Sequence, residues 1–335
     1  MPAKKATMRD IAAELGTSVV TVSKALAGKA GMSEELRTKI QQKAFEIGYE
    51  YPRSGHLQPG KHLEIGILIP DRYFSPDSYY AEIYKRLVMR LADFGHFGLL
   101  EILDPEIEQM TALPNLLAMK HVDGLIILGE PSKAYYRKVA QSGTPVVFLD
   151  FYDEQANADA VAGDNGYGTY RLTSHLIRCG HRKIGFVGNI RATSSIMDRF
   201  LGYYRAMLVN ELQVRDEWIL PDRELTGGIV KPALPEEMPT AFVCNCDITA
   251  RMMIDLLREN GYRVPEDVSI TGFDDYPPAN EGDIGLSTFR IDMDGMIDLA
   301  VRTMLERCSG EQKLFGRFVV SGQPIYRETD AAPRT

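Results

Sequence analysis

Apolar positions are spaced differently in the first fifty residues and in the rest of the chain. Near the N-terminus they recur every three or four positions, which is typical of short amphipathic helices. From residue 63 onward, short apolar runs alternate with helical patterns, which is typical of parallel sheets covered on both faces by helices. These runs predict nine strands, at residues 64–69, 98–103, 124–128, 146–149, 160–163, 183–187, 241–244, 268–271 and 287–290.

The nine strands form two groups, one before and one after residue 163. Helical patterns lie between most of them, for example over residues 80–94 and 250–260. This arrangement predicts an α/β body of two doubly wound parallel-sheet subdomains. Ligands of such folds bind at the carboxyl ends of the strands.

Capping signals divide the N-terminal segment into short helices. Thr7 and Asp10 are suited to a capping box at the start of the first helix, and Gly16 offers the left-handed position at which that helix ends. Ser18 can cap a second helix over residues 19–26, and a third helix follows. Two short helices joined by a turn of about three residues are typical of a helix-turn-helix, although a generic three-helix bundle gives a similar pattern.

Small hydroxyl side chains at positions 18, 21 and 23 favour the helix-turn-helix over the generic bundle. Serine and threonine are poor choices for helix propensity alone. As phosphate ligands, however, they let a helix approach the DNA backbone closely. The second helix would then lie in the major groove with its first residues towards the base edges.

Charge is distributed unevenly along the chain, whose formal net charge is −8. Residues 1–62 hold ten of the 38 Lys/Arg and six of the 46 Asp/Glu, so a basic segment precedes an acidic body. A basic DNA-binding module joined to an acidic regulatory domain fits this asymmetry, although a merely polar N-terminal segment fits it as well. The length of 335 residues predicts two or three domains.

Several function classes lack the residues that they require. No apolar run reaches the ~20 residues of a membrane span, and no secretory signal is evident, so we expect no membrane association and a cytoplasmic location. Cys244 and Cys246 form a CxC pair that would suit metal or redox chemistry, but their apolar neighbours favour a buried strand. No dinucleotide or Walker loop and no nucleophile constellation is present. We expect no enzymatic activity, no cofactor and no metal.

Residues 7–52, TMRDIAAELGTSVVTVSKALAGKAGMSEELRTKIQQKAFEIGYEYP, resemble the headpiece of the lactose-repressor (LacI/GalR) family, with its TxxDIA and GxSxxTVS[RK]xL motifs. The resemblance implies that Val19 and Val20 are the base-reading pair, with apolar contacts such as those to thymine methyl groups. Lys24 matches the family's Arg/Lys. The implied phosphate contacts are Thr7, Ser18, Thr21 and Ser23.

The segment behind the headpiece departs from the family pattern. In the family, this segment folds into a short hinge helix on DNA, and a leucine wedges into the minor groove. Here Arg53 replaces the usual Asn, and Gly55 and Pro59 oppose a helix. We therefore expect a DNA-binding domain over residues 1–52 and an irregular linker over residues 53–62, with Leu57 as the candidate wedge.

Several runs in the body, among them VDGLIIL, TPVVFLD, LTSHLIRCGHRKIGFVG and VPEDVSITGFDD, resemble the family's effector-binding core, which is similar to periplasmic sugar-binding proteins. The resemblance implies an effector-binding domain over residues 63–335 that closes on its ligand by hinge motion. Its N-subdomain would comprise about 63–162 and 291–318, and its C-subdomain about 163–290 and 319–330.

The same match implies which side chains line the cleft between the subdomains. Asp150, Arg199 and Asp274 are the first candidates for contacts with sugar hydroxyls. Cys246 replaces the family's usual Asn, and Asp247 is retained beside it. A structural role remains open for each residue: Asp274 could cap a turn, and Arg199 could hold a carboxylate partner.

An aromatic cluster follows the first strand and could stack on a carbohydrate or lie buried at a dimer interface. It contains Tyr73, Tyr79 and Tyr80. Since Tyr79 and Tyr80 are adjacent, we expect one to face the cleft and the other to pack inward. Glu130, after the third strand, could accept a ligand hydroxyl.

These observations predict a homodimeric transcriptional regulator, more consistent with a repressor than with an activator. It would bind a palindromic double-stranded DNA operator and respond to a small effector, a sugar or sugar derivative, between its two subdomains. The alternative is a soluble carbohydrate-binding module whose headpiece no longer binds DNA. A salt-sensitive, sequence-selective DNA complex would distinguish the first hypothesis from the second.

Overall fold

Two units of different architecture make up the chain, which divides after residue 56. The structure is a computed structural model that describes residues 7–26, 33–46, 62–225, 227–277, 284–310 and 313–334. Leu57 and the other linker residues up to 61 lie outside the described residues, so the expectations for the hinge and its wedge stay predictions.

The described residues of the N-terminal unit form three helices: α1 (Met8–Glu14), α2 (Val19–Leu26) and α3 (Glu34–Glu46). The predicted capping box is confirmed, because Thr7 and Asp10 each accept a hydrogen bond from the backbone amide of the other. Gly16 has a φ of +59°, which is the left-handed conformation expected at the end of α1. The core of this unit consists of Ile11, Ala12, Val22, Ala25, Ile40 and Ala44.

Twelve strands and eight α-helices are described in the larger unit. The strands are β1 (Glu64–Pro70), β2 (Phe97–Leu103), β3 (Gly124–Leu128), β4 (Val146–Leu149), β5 (Asp159–Gly163), β6 (Ile184–Val187), β7 (Ile219–Leu220), β8 (Ala241–Cys244), β9 (Ser269–Thr271), β10 (Thr288–Ile291), β11 (Arg317–Val320) and β12 (Gly322–Ile325). The helices are α4 (Tyr79–Asp93), α5 (Pro105–Gln109), α6 (Asn115–Ala118), α7 (Lys133–Ala140), α8 (Asn165–Arg178), α9 (Ser194–Val209), α10 (Asp247–Glu259) and α11 (Met293–Cys308).

A six-stranded parallel sheet forms the first half of this unit, in the order β11-β5-β4-β3-β1-β2. Its central strands are buried on both faces, and side chains of β1 and β3 alternate between two cores. Ile67 and Ile126 pack on the face covered by α4 and α11, whereas Leu68 and Ile127 pack on the face covered by α7. Strands of this kind appear in the sequence as continuous apolar runs.

A four-stranded parallel sheet, in the order β7-β6-β8-β9, forms the second half. A third, two-stranded sheet pairs β10 with β12 in antiparallel register. The chain enters the second half between β5 and α8, returns to the first between β10 and α11, and leaves it again between β11 and β12. The predicted fold class is confirmed, and all nine predicted strands are present with small differences at their ends.

Three strands were not predicted, and each has a local reason. The β7 strand has only two residues. The β11 strand lies at the edge of its sheet, where its burial alternates. The β12 strand contains Gly322 and Pro324, two residues that disfavour strands. Within the described residues, no helix is both long and apolar enough to cross a membrane.

Candidate functional site

The α2 helix of the N-terminal unit begins with an exposed apolar pair. Val19 and Val20 are 39% and 64% exposed, whereas Val22 on the same helix is fully buried. The Ser18 hydroxyl accepts a hydrogen bond from the Thr21 amide at 3.0 Å, and the two hydroxyl oxygens lie 2.8 Å apart. This contact uses only one of the two hydroxyl hydrogens, so the other can be donated to an outside acceptor such as a phosphate oxygen.

The remaining candidates for DNA contact lie on the same small unit. Lys24 is exposed on α2, and Ser23 is partly buried beside it. Thr7 is exposed, but its hydroxyl already lies 2.6 Å from a carboxylate oxygen of Asp10 in the α1 cap. The predicted phosphate and base contacts of these residues stay predictions.

The candidate effector residues of the larger unit follow the ends of strands. Asp150 comes directly after β4, Glu130 lies two residues after β3, and Asp274 lies three residues after β9. Arg199 projects from α9. The carboxyl ends of parallel strands are where open α/β sheets bind ligands. Residues from both halves meet there: the Ser194 amide donates to Glu130 at 2.6 Å, and the rings of Tyr79 and Tyr276 lie 5.9 Å apart.

Arg199 is the centre of this cluster. It is 5% exposed, and its side chain donates hydrogen bonds to Asn165 at 2.7 Å, to the carbonyl of Asn245 at 2.6 Å and to Asp274 at 3.0 Å. Its guanidinium carbon lies 3.9 Å from the centre of the Phe273 ring. These contacts fix the guanidinium plane, which is the preorganisation that a bidentate binding group needs.

The backbone is strained at both Asp150 and Asp274, whose φ values are +72° and +105°. Residues other than glycine rarely adopt such angles, and they do so preferentially at binding sites. Burial raises the pKa of Asp150, an effect that Arg199 and Tyr80 oppose. Burial also raises the pKa of Asp274 to about 7, against the influence of Arg199. The two carboxyl groups are therefore buried acceptors held in fixed positions.

Tyr79 and Tyr80 both lie beside this cluster, and the expectation that one faces the cleft while the other packs inward stays a prediction. The Tyr80 hydroxyl donates to Asp150 at 2.9 Å, and the two rings meet edge to face with centres 5.5 Å apart. The charges of Asp150 and Asp274 also raise the pKa of Tyr79, after the larger effect of burial. Both residues lie in the first turn of α4, where side chains lean towards the helix N-terminus and so reach the same region.

Tyr73 and Glu130 lie at the margin of the cluster. The Tyr73 ring lies 5.2 Å from that of Tyr80, and its hydroxyl donates to the Glu130 carbonyl at 3.4 Å. The Glu130 carboxylate accepts a hydrogen bond from the Ser194 amide at 2.6 Å. Glu130 is therefore engaged with the opposite half of the unit.

Cys246 directly precedes α10 and Asp247 is its first residue, but the two side chains have different surroundings. The Cys246 sulfur lies 3.2 Å from the Thr249 hydroxyl and 3.6 Å from an Arg223 nitrogen. Asp247 accepts hydrogen bonds from the Thr288 hydroxyl at 2.6 Å and the Tyr276 amide at 2.9 Å. Asp247 thus holds the chain beside β10. Burial raises its pKa to about 8.

Comparison with known proteins identifies both units. Residues 7–51 match the model of the lacI family of bacterial regulatory proteins, and residues 173–329 match a periplasmic binding protein-like domain. The chain belongs to the LacI family. The family predicted from the sequence is thereby confirmed.

This LacI-family chain is 27% identical over 330 residues to the ribose operon repressor of Haemophilus influenzae, which covers 97% of this chain and 98% of that protein. It is 29% identical over 278 residues to the transcriptional repressor PurR of Haemophilus influenzae strain PittEE, with 81% of each covered. These relatives are transcriptional regulators, and the chain is accordingly a DNA-binding regulator with an effector domain.

Solved structures show the same fold. The complex of the transcriptional regulator CelR with cellobiose has a TM-score of 0.68 at 21% identity and covers 97% of this chain and 100% of its own. The lac repressor dimer bound to operator and the anti-inducer ONPF has a TM-score of 0.65 at 22% identity, with 98% and 100% covered.

A second polar network, which was not predicted from the sequence, lies beside this cluster. Asp222, fully buried after β7, accepts hydrogen bonds from Arg223 at 2.7 Å, Asn245 at 2.7 Å and Thr249 at 2.6 Å. Burial acts to raise the pKa of Asp222, but the ion pair with Arg223 and the other hydrogen bonds outweigh burial, so the pKa is lowered. Arg223 also reaches Cys246, so the network joins the predicted site. An Asp-Arg pair before a Gly/Pro-rich segment is the signal that could have indicated it.

Proposed function

We propose that this LacI-family regulator represses transcription by binding a palindromic operator as a homodimer, under the control of a neutral polyhydroxylated ligand in the cleft. The observation that carries the ligand part is the buried cluster of Asp150, Arg199 and Asp274, which unites residues from both sheets. A ligand that contacts both halves favours the closed arrangement by its differential affinity for the two states.

The α2 helix supports the DNA part of the proposal. Its first two side chains, Val19 and Val20, are apolar. They are nevertheless exposed and do not pack in the core of this small unit. Ser18 and Thr21 place hydroxyl groups beside them. Apolar readout flanked by phosphate contacts accounts for both observations.

The charges of the cleft favour a neutral ligand over a phosphorylated one. Each guanidinium described there already faces a carboxylate: Arg199 faces Asp274 at 3.0 Å, Arg223 faces Asp222 at 2.7 Å, and Arg72 faces Glu108 at 2.5 Å. Asp150 and Glu130 add acceptors without adding positive charge. Buried carboxyl groups accept hydrogen bonds from ligand hydroxyls but repel an anion.

Two kinds of relative agree with this ligand class. One is named a ribose operon repressor, and the solved structures include a regulator with cellobiose and a LacI-family regulator from Enterococcus faecium with bound ribose. From these relatives we infer only that the ligand of this chain is a neutral sugar, since their identities to this chain are below 30%.

The DNA part is tested by selecting genomic fragments with the full-length protein and measuring their affinity at two salt concentrations. We expect a palindromic consensus and a steep loss of affinity with salt. Binding without sequence preference would favour the alternative, a carbohydrate-binding protein with a non-functional headpiece. Light scattering on the same sample tests the dimer.

The ligand part is tested by a thermal-shift screen that pairs each neutral sugar with its phosphorylated derivative. A ligand at 100 times its dissociation constant adds ~2.7 kcal/mol of stability. We expect shifts from neutral sugars only, and their loss in the Asp150→Ala variant. Stabilisation by the phosphorylated members alone would overturn the proposed ligand class while leaving the DNA part intact.

A further inference from the structure

Three potential metal ligands converge at the end of α8, outside the effector cleft. His175 and Cys179 are four positions apart and so lie on the same side of the helix. Asp330 comes from the C-terminal segment. The Nε2 atom of His175 lies 2.6 Å from a carboxylate oxygen of Asp330 and 3.7 Å from the sulfur of Cys179. The three ligand atoms all lie within 4.8 Å of one another.

We propose that His175, Cys179 and Asp330 bind a divalent metal ion of the zinc class. An imidazole nitrogen, a thiolate sulfur and a carboxylate oxygen are the three ligand types that zinc takes in proteins. Bonds of about 2.0–2.3 Å in tetrahedral geometry place ligand atoms about 3.3–3.6 Å apart. The Cys179–His175 separation of 3.7 Å is close to this range, and Asp330 needs to move away from His175 by about 0.8 Å. Water would complete the tetrahedron.

A simple ion pair between His175 and Asp330 explains only part of this arrangement. It accounts for the 2.6 Å contact, but it does not account for the Cys179 thiol on the same nitrogen. A metal ion placed between the three groups uses all of them. Binding would remove the thiol proton and leave the imidazole neutral, and the thiolate and carboxylate together would balance the charge of the ion.

The surroundings of the cluster hold its side chains in place. The second carboxylate oxygen of Asp330 accepts a hydrogen bond from the Ser287 hydroxyl. The His175 ring stacks on Tyr326, with centres 3.9 Å apart and planes 20° apart. Such supporting contacts orient metal ligands in proteins. The side chains of His175 and Asp330 are 18% and 7% exposed, which leaves a route for the ion.

The position of the cluster gives the metal a structural consequence. Ser287 directly precedes β10, and Tyr326 directly follows β12. These two strands pair with each other, and the chain passes between the halves of the unit beside them. An ion held by His175, Cys179 and Asp330 would tie α8 to the C-terminal segment, whose Asp330 also contacts Ser287 beside β10. We therefore expect the metal to stabilise this region against unfolding.

The test is a titration of metal-free full-length protein with Co²⁺, followed by absorption spectroscopy, and with Zn²⁺, followed by thermal unfolding. We expect one equivalent of Co²⁺ with a thiolate-to-cobalt charge-transfer band, and a higher melting temperature with Zn²⁺. The Cys179→Ser variant should lose the band and at least tenfold in affinity, whereas Cys308→Ser, which changes a thiol outside the cluster, should keep both.

The Asp330→Asn variant provides a second measurement, since it keeps the size of the side chain and the thiol but weakens a ligand. It should retain a shifted band with lower affinity, and circular dichroism of each variant checks that it is folded. The proposal is overturned if the wild-type protein shows no saturable Co²⁺ binding, or if Cys179→Ser and Asp330→Asn titrate like the wild type.

Discussion

The backbone amide of Ser194 donates a hydrogen bond of 2.6 Å to the carboxylate of Glu130. Glu130 follows β3 of the six-stranded sheet, and Ser194 is the first residue of α9, which packs on the four-stranded sheet. The N-terminus of a helix carries a partial positive charge that favours a carboxylate. Burial raises the pKa of Glu130, and the bond to Ser194 opposes that shift. This contact therefore links the two halves of the larger unit.

Replacing Glu130 with alanine should weaken closure. Hydrogen bonds to charged groups contribute about 1.5–3 kcal/mol, so we expect ligand affinity to fall by about tenfold or more. The radius of gyration of the free protein should also rise in small-angle scattering. Glu130→Gln keeps an acceptor for the Ser194 amide and should have the smaller effect. Identical scattering and affinity in Glu130→Ala and the wild type would contradict this role.

The sequence was most informative where a local pattern carries the structure. The buried runs of β3 and β4 and the Thr7–Asp10 cap could be predicted, because burial and capping leave marks on adjacent residues. Asp150 and Asp274 could each be placed after a strand, because each follows an apolar run, whereas the family resemblance implied that they lie in the same cleft. Asp222 and Arg223 were not placed after a strand, since β7 has too few residues to show a period.

Contacts between distant parts of the chain left no local pattern. His175 and Asp330 are 155 positions apart, and neither position indicates the other. Tertiary packing decides such features.

A change at Val20 should alter which DNA sequence is bound. Val20→Gln replaces an exposed apolar side chain by one that can pair with adenine, and a base contact is worth ~1–3 kcal/mol of discrimination. Selection from a randomised DNA pool should show a new preference at the base that it contacts. The matched variant Thr21→Ala removes a candidate phosphate contact and should weaken all sequences alike. An unchanged consensus for Val20→Gln would rule out base reading by this residue.

Tyr79 and Tyr80 should respond differently to the loss of their hydroxyl groups. Tyr80→Phe removes the 2.9 Å bond to Asp150 and leaves a buried carboxylate with one donor fewer, so we expect a loss of ~1 kcal/mol or more in the free energy of unfolding. The Tyr79 hydroxyl is buried and has no hydrogen-bond partner among the described residues. Tyr79→Phe should therefore be neutral or slightly stabilising without ligand.

The same pair tests whether the cluster binds the effector. If the ligand forms a hydrogen bond with the unpaired Tyr79 hydroxyl, Tyr79→Phe should lower ligand affinity by several-fold and leave unfolding by urea unchanged. Isothermal titration and urea unfolding of both variants separate the two effects. Equal losses of stability in the two variants would contradict the hydrogen-bond assignments.

The stability of the larger unit should depend on pH through Asp247. Burial raises the pKa of Asp247 to about 8, whereas an unfolded aspartate has a pKa of ~3.9. Between these values the folded chain keeps a proton that the unfolded chain has lost, so the contribution of Asp247 to stability falls as pH rises through this range. Asp247→Asn should flatten that part of the profile, since an amide can still bond to Thr288 and the Tyr276 amide.

Asp275 provides a control for which the dependence of stability on pH has the opposite sign. Although burial opposes them, Arg327 and Arg290 lower the pKa of Asp275. Its contribution is therefore present above ~4 and is lost as pH falls below the ordinary pKa of aspartate. Urea unfolding from about pH 3 to 9 should show that Asp275→Asn costs stability at neutral pH and little in acid, whereas Asp247→Asn gains stability towards pH 8. Parallel profiles for the two variants would show that Asp247 is charged in the folded chain, and its hydrogen bonds to Thr288 and Tyr276 would then have to stabilise a buried carboxylate.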